Sequence, residues 1–232
     1  MFKLIKLEIK KYKLQRYIKT AVTANLIILA FVLFINYSSK YESEIAMKNY
    51  PEVFTVIDTF VTVTFIIFAS VLISRIVIGE YKNKTITMLF MYPIDRKKLF
   101  IAKLSIVVIF TFITVIISNL FLGISFYFFD QLAHFIPEKL TIDMIIRNSV
   151  NIIIHAFTSS FISLISLYFG MRKKSSASTI ISASIIASII CSNGNSGFQL
   201  NSIVAVSVSL AAVGAFISYM CIRNIEHLDI TN

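Results

Sequence analysis

The sequence has no tryptophan, 3 prolines, 6 glycines, 2 cysteines and 12 acidic residues, against 22 Lys and Arg. Two cysteines cannot staple a chain of 232 residues, so a disulfide scaffold is excluded. So few prolines and glycines exclude collagen-like and Pro-rich chains. Charged residues make up 15%, where a soluble domain carries about a quarter. Hydrophobic residues make up 57% and mean hydropathy is +0.81, which excludes intrinsic disorder and points to a membrane protein. No Gly-x-x-x-x-Gly-Lys-Ser/Thr phosphate loop is present, so nucleotide hydrolysis is not expected from this chain. Intramembrane metalloenzymes need clustered Glu and His, but no apolar span holds a Glu and only His155 lies deep in one, so no metal site or catalytic residue is expected.

What is present is a succession of apolar runs. A hydrocarbon core of ~30 Å needs ~20 helical residues. Six candidates meet or approach that length, at 20–37, 53–78, 99–128, 144–170, 175–192 and 200–222; the fifth is short and Ser-rich. The sequence therefore predicts an all-α membrane protein, with residues 20–222 forming one domain of six transmembrane helices. Charge orients it. Lys3, Lys6, Lys10, Lys11, Lys13, Arg16 and Lys19 precede the first span, and Lys82, Lys84, Arg96, Lys97 and Lys98 lie between the second and third. Arg172, Lys173 and Lys174 link the fourth and fifth, and Arg223 follows the sixth. The other connections carry Lys40, Lys48 and Lys139 with Glu42, Glu44, Glu52, Asp130, Glu138 and Asp143. This alternation predicts an N-in, C-in topology, with both termini and the 223–232 tail in the cytoplasm. With no Trp, the 10 tyrosines are left to form the interfacial belt. Cys191 and Cys221 fall at opposite ends of neighbouring spans and are expected to be free thiols.

Two polar segments stand out. In residues 1–19, Leu4, Ile5, Leu7, Ile9, Leu14 and Ile18 recur among the cations at three- and four-residue steps. That pattern predicts an amphipathic helix lying in the membrane interface; a nucleic-acid role is not expected from so short a basic run. Residues 79–103 read GEYKNKTITMLFMYPIDRKKLFIAK. Thr85 can cap a short helix from Ile86 through Met88, Leu89 and Met91, Pro93 stops it, and Asp95 can cap the next. An apolar helix between two spans must be covered, by lipid or by a partner.

The run Glu80, Thr85, Leu89, Pro93, Arg96 and Lys103 resembles the first cytoplasmic loop of ABC type-2 permeases. The resemblance implies a six-span permease subunit of a bacterial ABC exporter. In it, Glu80, Tyr81, Thr85, Ile86, Met88, Leu89, Tyr92, Pro93 and Arg96 would form the coupling helix that docks on a cytoplasmic ABC ATPase. ATP and Mg would sit on that partner, leaving this chain with no cofactor and no enzymatic activity. A second copy or a related permease would complete the transporter in the bacterial cell membrane. Small permeases similar to this one export, or confer immunity to, amphipathic and antimicrobial peptides such as bacteriocins, bacitracin or phenol-soluble modulins. The alternative is a toxin-binding immunity protein or channel working without an ATPase.

Small residues recur four apart in the fifth span at Ser178/Ser182, Ala183/Ala187 and Ser184/Ser188. They suit close helix packing, either within one subunit or at the permease–permease interface that the resemblance places there. Arg75 and Lys103 lie near inner span ends, where their long stems can snorkel to water. Asp58, Arg147, Asn151 and His155 lie inside spans and form a candidate substrate path, in which Asp58 and Arg147 sit at comparable depth and can pair. They can equally be satisfied polar groups of one bundle. The aromatic run Phe121, Phe126, Tyr127, Phe128 and Phe129 suits interfacial anchoring or contact with an amphipathic substrate.

Overall fold

A bilayer offers no water to backbone groups, so an apolar chain that crosses it closes its hydrogen bonds within each segment, as helices do. The computed structural model describes residues 5, 8, 11–12, 15–39, 49–82, 96–133, 136, 140–191 and 204–224, all helical or connecting, with no strand among them. In chain order the helices are α1 (Gln15–Ser39), α2 (Tyr50–Ile73), α3 (Gly79–Lys82), α4 (Arg96–Ala133), α5 (Ile142–Ile162), α6 (Ile165–Lys173), α7 (Ser176–Cys191) and α8 (Val204–Asn224). A π-helical turn, Ser74–Ile78, joins α2 to α3 without interruption.

Among the described residues, four segments are long and apolar enough to cross a membrane: Tyr17–Ser38, Tyr50–Ile78, Lys97–Leu132 and Ile142–Lys173. Ser176–Ile190 and Ser207–Arg223 are shorter apolar helices. The helix of the third expected span is 38 residues long, about 57 Å, which carries it past a ~30 Å core. Where one span was expected at 144–170, the chain forms α5 and α6 with a break at Ser163 and Leu164. The cause is local. Ser160, Ser163 and Ser166 each turn a hydroxyl back to a carbonyl three or four residues earlier, at 2.6–2.8 Å. Such back-bonding bends helices. The Leu164 N–H accordingly finds the Phe161 carbonyl, three residues back, at 3.0 Å.

Packing is organised around α2, the most buried of the four long segments, while α1 is the least. On α2, Val53, Ile57, Val61 and Phe65 meet Val115, Leu122 and Phe126 of α4, Ile28 and Val32 of α1, and Ala156 of α5. Toward the other end, Leu72, Ile73, Ile76 and Ile78 pack with Phe100, Leu104, Leu167 and Cys221. On a third side, Ile66 and Ile162 receive Ala183, Ala187 and Ile190 of α7. The fold has a basic end, bearing Lys97, Lys98, Arg172, Lys173 and Arg223, and an opposite end bearing Glu52, Asp130 and Asp143. At that opposite end the Tyr50 hydroxyl donates to Asp130 at 2.5 Å, and the Ile136 N–H donates to the same carboxylate at 3.0 Å. This ties the start of α2 to the end of α4. At the basic end Lys174 adopts the left-handed conformation, φ 46°, which turns α6 tightly into α7.

Apolar surface gains little by leaving lipid for protein, so helices here associate through close packing. Gly214 of α8 shows how close: a Cβ at that position would stand 2.1 Å from the carbonyl oxygen of Phe161. Gly123 of α4 has only a Phe54 ring atom at 3.7 Å. Gly214→Ala is therefore expected to destabilise the domain by about 1–3 kcal/mol, by pushing α8 off α5, and Gly123→Ala to be neutral. Thermal unfolding of both variants in one detergent checks this; equal midpoints would contradict the close approach.

Candidate functional site

Among the described residues, buried polar clusters centred on Glu80 and on Asp58 interrupt the apolar interior. The first sits at the basic end, where α2 gives way to α3. Its centre is Glu80, whose side chain is only 8% exposed. Lys103 of α4, 4% exposed, ion-pairs with one carboxylate oxygen, and Lys11 donates to the other at 2.8 Å. The Tyr12 hydroxyl donates to that second oxygen at 2.6 Å. The adjoining π-helical turn contributes as well, since the Ile76 carbonyl accepts from Lys103 Nζ at 3.4 Å. Such turns widen a helix and re-aim its polar groups. One acid thus fastens three stretches of chain: the segment before α1, the end of α2–α3 and the start of α4.

Burial pushes the Glu80 carboxyl up, but hydrogen bonds from Lys103, Lys11 and Tyr12 outweigh it and hold the group below its ordinary value. Tyr12 is shifted the other way, raised by burial and by its hydrogen bond to Glu80. Lys11 is about half exposed, so its arm of the cluster is screened and contributes little; the buried Lys103 arm dominates.

Lys103 therefore does not snorkel, as its position near a span end suggested; it is buried, and its charge is met by Glu80. Arg75, on the π-helical turn, is exposed. The segment before α1 packs Ile5 and Tyr12 against the apolar cluster around Ile76 and Phe100, beyond simple contact with lipid. Of the expected coupling residues, Glu80 is placed in full, and Tyr81 and Arg96 are placed by their backbones. Thr85, Ile86, Met88, Leu89, Tyr92 and Pro93 lie outside the described residues.

The second cluster joins α2, α4 and α5 within the apolar interior. Asn119 donates to Asp58 at 3.1 Å, and His155 Nδ1 lies 3.6 Å from the other Asp58 oxygen. The expected pairing of Asp58 with Arg147 is not formed. Arg147 is exposed, and the acid turns to His155 two helical turns further along α5. Asn151, between them, is exposed too, so Arg147, Asn151 and the partly exposed His155 mark one stripe along α5 at four-residue steps. A third polar contact had no sequence signal beyond two mid-span polar residues: Asn25 of α1 donates to Ser118 of α4 at 2.8 Å.

The small residues of α7 divide. Ala183 and Ala187 are fully buried against Ile66 and Ile162, so they pack within the subunit and are not open to a second copy. Ser178, Ser182 and Ser184 are half-buried and Ser188 is exposed, and Ser182, Ser184 and Ser188 donate to carbonyls of their own helix. In the aromatic run, Phe126 is core while Phe121, Phe128 and Phe129 are exposed. Among the described residues no group of three or more His, Cys, Asp or Glu gathers as metal ligands.

The Glu80 cluster yields two predictions. Glu80→Ala strands Lys103 in the interior, a loss of about 3–5 kcal/mol; adding Lys103→Met recovers most of it. Thermal unfolding of the single and double variants measures that recovery, and a double variant no more stable than Glu80→Ala would contradict the pair. A carboxyl held below its ordinary value stabilises the fold above the unfolded-state pKa of ~4.3 and loses that contribution as pH falls through the lower folded value. Stability should therefore decline with acidification below pH ~4, and Glu80→Gln should flatten that decline; parallel curves would contradict it.

Residues 4–192 match the family described as ABC-2 family transporter protein. The chain is also similar to the uncharacterized protein YcbO of Bacillus subtilis (strain 168), at 43% identity over 226 residues, covering 97% of this chain and 99% of that protein. No solved structure matches. A match across most of the chain, long apolar helices and a buried ion-pair cluster at their basic end agree, and the chain belongs to the ABC-2 family of transporter proteins.

Proposed function

We propose that the chain is the permease subunit of an ATP-driven exporter, with six spans and both termini in the cytoplasm. In this reading α7 and α8 complete the spans begun by the four longer segments, and the basic end faces the cytoplasm, as the distribution of Lys and Arg favours. The segment between α3 and α4 engages an ABC ATPase, and a second copy or a related permease completes the pathway. The observation that carries this reading is the Glu80 cluster. It stands at the root of that segment and holds α3, α4 and the N-terminal stretch as one unit. A push on the segment would then move several helices together.

Export is favoured over capture from outside because the connections at the opposite end, residues 40–49, 134–141 and 192–203, are too short to house a binding domain. The proposed cargo is an amphipathic or antimicrobial peptide, taken through the membrane or kept from acting on the host. The exposed Asn151, about 14 Å along α5 from Ile142, supports a polar path, since an amide facing hydrocarbon is costly.

Leu89→Asp is the direct test of the docking segment. It is expected to abolish association with the ATPase, and with it export, while membrane insertion stays intact. Co-purification and insertion assays on the same cells check this, and unchanged association would remove the docking assignment.

A further inference from the structure

We propose that α5 is the surface through which two copies of this chain associate in the membrane, with Asn151 meeting its counterpart and Arg147 of each copy meeting Asp143 of the other. The proposal rests on reading the chain as a permease completed by a second copy, and it names that partner and the face it uses. The contacts are reciprocal, so two copies satisfy each other. The polar stripe of α5 then lies at their junction, where a pathway completed by a second copy runs.

Asp143, Arg147 and Asn151 recur at four-residue steps along α5, and all three are exposed. Among the described residues none of these side chains has a hydrogen-bond or ion-pair partner. Exposed hydroxyls elsewhere in the apolar helices are satisfied locally: Thr23, Thr55 and Ser188 each donate to a carbonyl four residues back, at 2.7–2.9 Å. The Asn36 amide does the same at 2.9 Å. Asn151 makes no such bond. It lies about 14 Å along α5 from Ile142, too far for so short a side chain to reach back to the headgroups. An unpaired amide in hydrocarbon is costly, so a polar surface must cover it. The stripe is distinct from the apolar face of the same helix, where Ile146, Val150, Ile153 and Phe157 suit lipid.

Charge and symmetry select the second copy. A copy inserted in the same orientation is related by a two-fold axis along the membrane normal, which sets equivalent residues at equal depth. An amide carries both donor and acceptor, so two Asn151 side chains satisfy each other across such an axis. One turn outward, about 6 Å, the two Arg147 guanidinium groups draw together, and one turn further the two Asp143 carboxylates come within their reach. Two acids then face two cations with no net charge. Arg suits this task, because its planar fork donates two hydrogen bonds to a carboxylate. Phosphate headgroups would satisfy Arg147, but neither Asp143 nor the deeper Asn151. Other exposed faces offer nothing comparable: those of α1 and α4 are dominated by apolar side chains such as Val22, Leu26, Phe31, Ile113 and Ile117. On α7, Ala183 and Ala187 are already taken up inside the subunit.

The test co-expresses two copies of the full chain with different affinity tags and scores recovery of one tag through the other in mild detergent. The native chain is expected to recover itself. Arg147→Asp places four acids together and Asp143→Arg four cations, so each variant should recover itself about tenfold less well. Co-expressed with each other, the two variants again set two acids against two cations at each level of contact, and should associate as the native chain does. Thermal unfolding of each variant confirms that the subunit itself is intact. In a chain carrying Cys191→Ala and Cys221→Ala, Asn151→Cys should oxidise to a covalent dimer, whereas Ile153→Cys, on the opposite side of α5, should not. A native chain that does not recover itself, undiminished self-recovery of the charge variants, no gain on combining them, or equal cross-linking at the two cysteine positions would each overturn the proposal; headgroups or a different permease would then cover the stripe. Recovery of an ATPase with the same chains is scored separately. A failed permease reading shows there, and a failed contact surface shows only in the exchange between tags.

Discussion

One carboxylate holds the basic end of this protein together. Glu80 is buried beside an equally buried Lys103, and neither charge is tolerable there without the other. That mutual dependence fixes α4 against the end of α2. The same carboxylate then accepts from Lys11 and Tyr12, so the stretch before α1 is drawn onto the bundle. The π-helical turn at Ser74–Ile78 brings a backbone carbonyl within reach of Lys103. At the far end Asp130 performs a simpler version of the task, holding the start of α2 to the end of α4 through Tyr50. Between the two, the helices meet through apolar side chains and through glycines such as Gly214, where an added methyl group has no room.

The two acidic clusters differ in how their carboxylates are met. Glu80 is enclosed and saturated with donors, a good arrangement for transmitting force because it has little freedom to rearrange. Asp58 accepts from Asn119 with one oxygen and turns the other toward the His155 imidazole. A polar stripe of α5 leads to it from the surface. Both clusters depend on α2, which carries Asp58 and runs without interruption to Glu80.

Much of this was legible in the sequence. The helices of the apolar runs follow from hydropathy, and the free Cys221 from the placing of the two cysteines at opposite span ends. What was not legible is direction around each helix. Asp58 and Arg147 lie at comparable depth, yet Arg147 and His155 differ by ~80° about the axis of α5, and that angle decides which of them faces α2. Lys103 looked free to snorkel because its partner is 23 residues away, and Tyr12 and Glu80 are 68 residues apart; no periodicity reports such contacts. The break in α5–α6 was written in the spacing of Ser160, Ser163 and Ser166, but hydroxyls bonding back to their own helix look the same in sequence as polar residues lining a path. The burial of Ala183 and Ala187 is of the same kind, since a small-residue face does not say which neighbour it admits.

The central claim is that this membrane subunit draws its energy from a separate ATPase that docks beside the Glu80 joint. The most direct measurement is affinity purification of the tagged chain from its own host in mild detergent, after cross-linking in the membrane, with mass spectrometry of the proteins recovered. The account predicts a soluble ABC ATPase at about one copy per permease. Recovery of the chain alone, from cells in which it is expressed and folded, would contradict it.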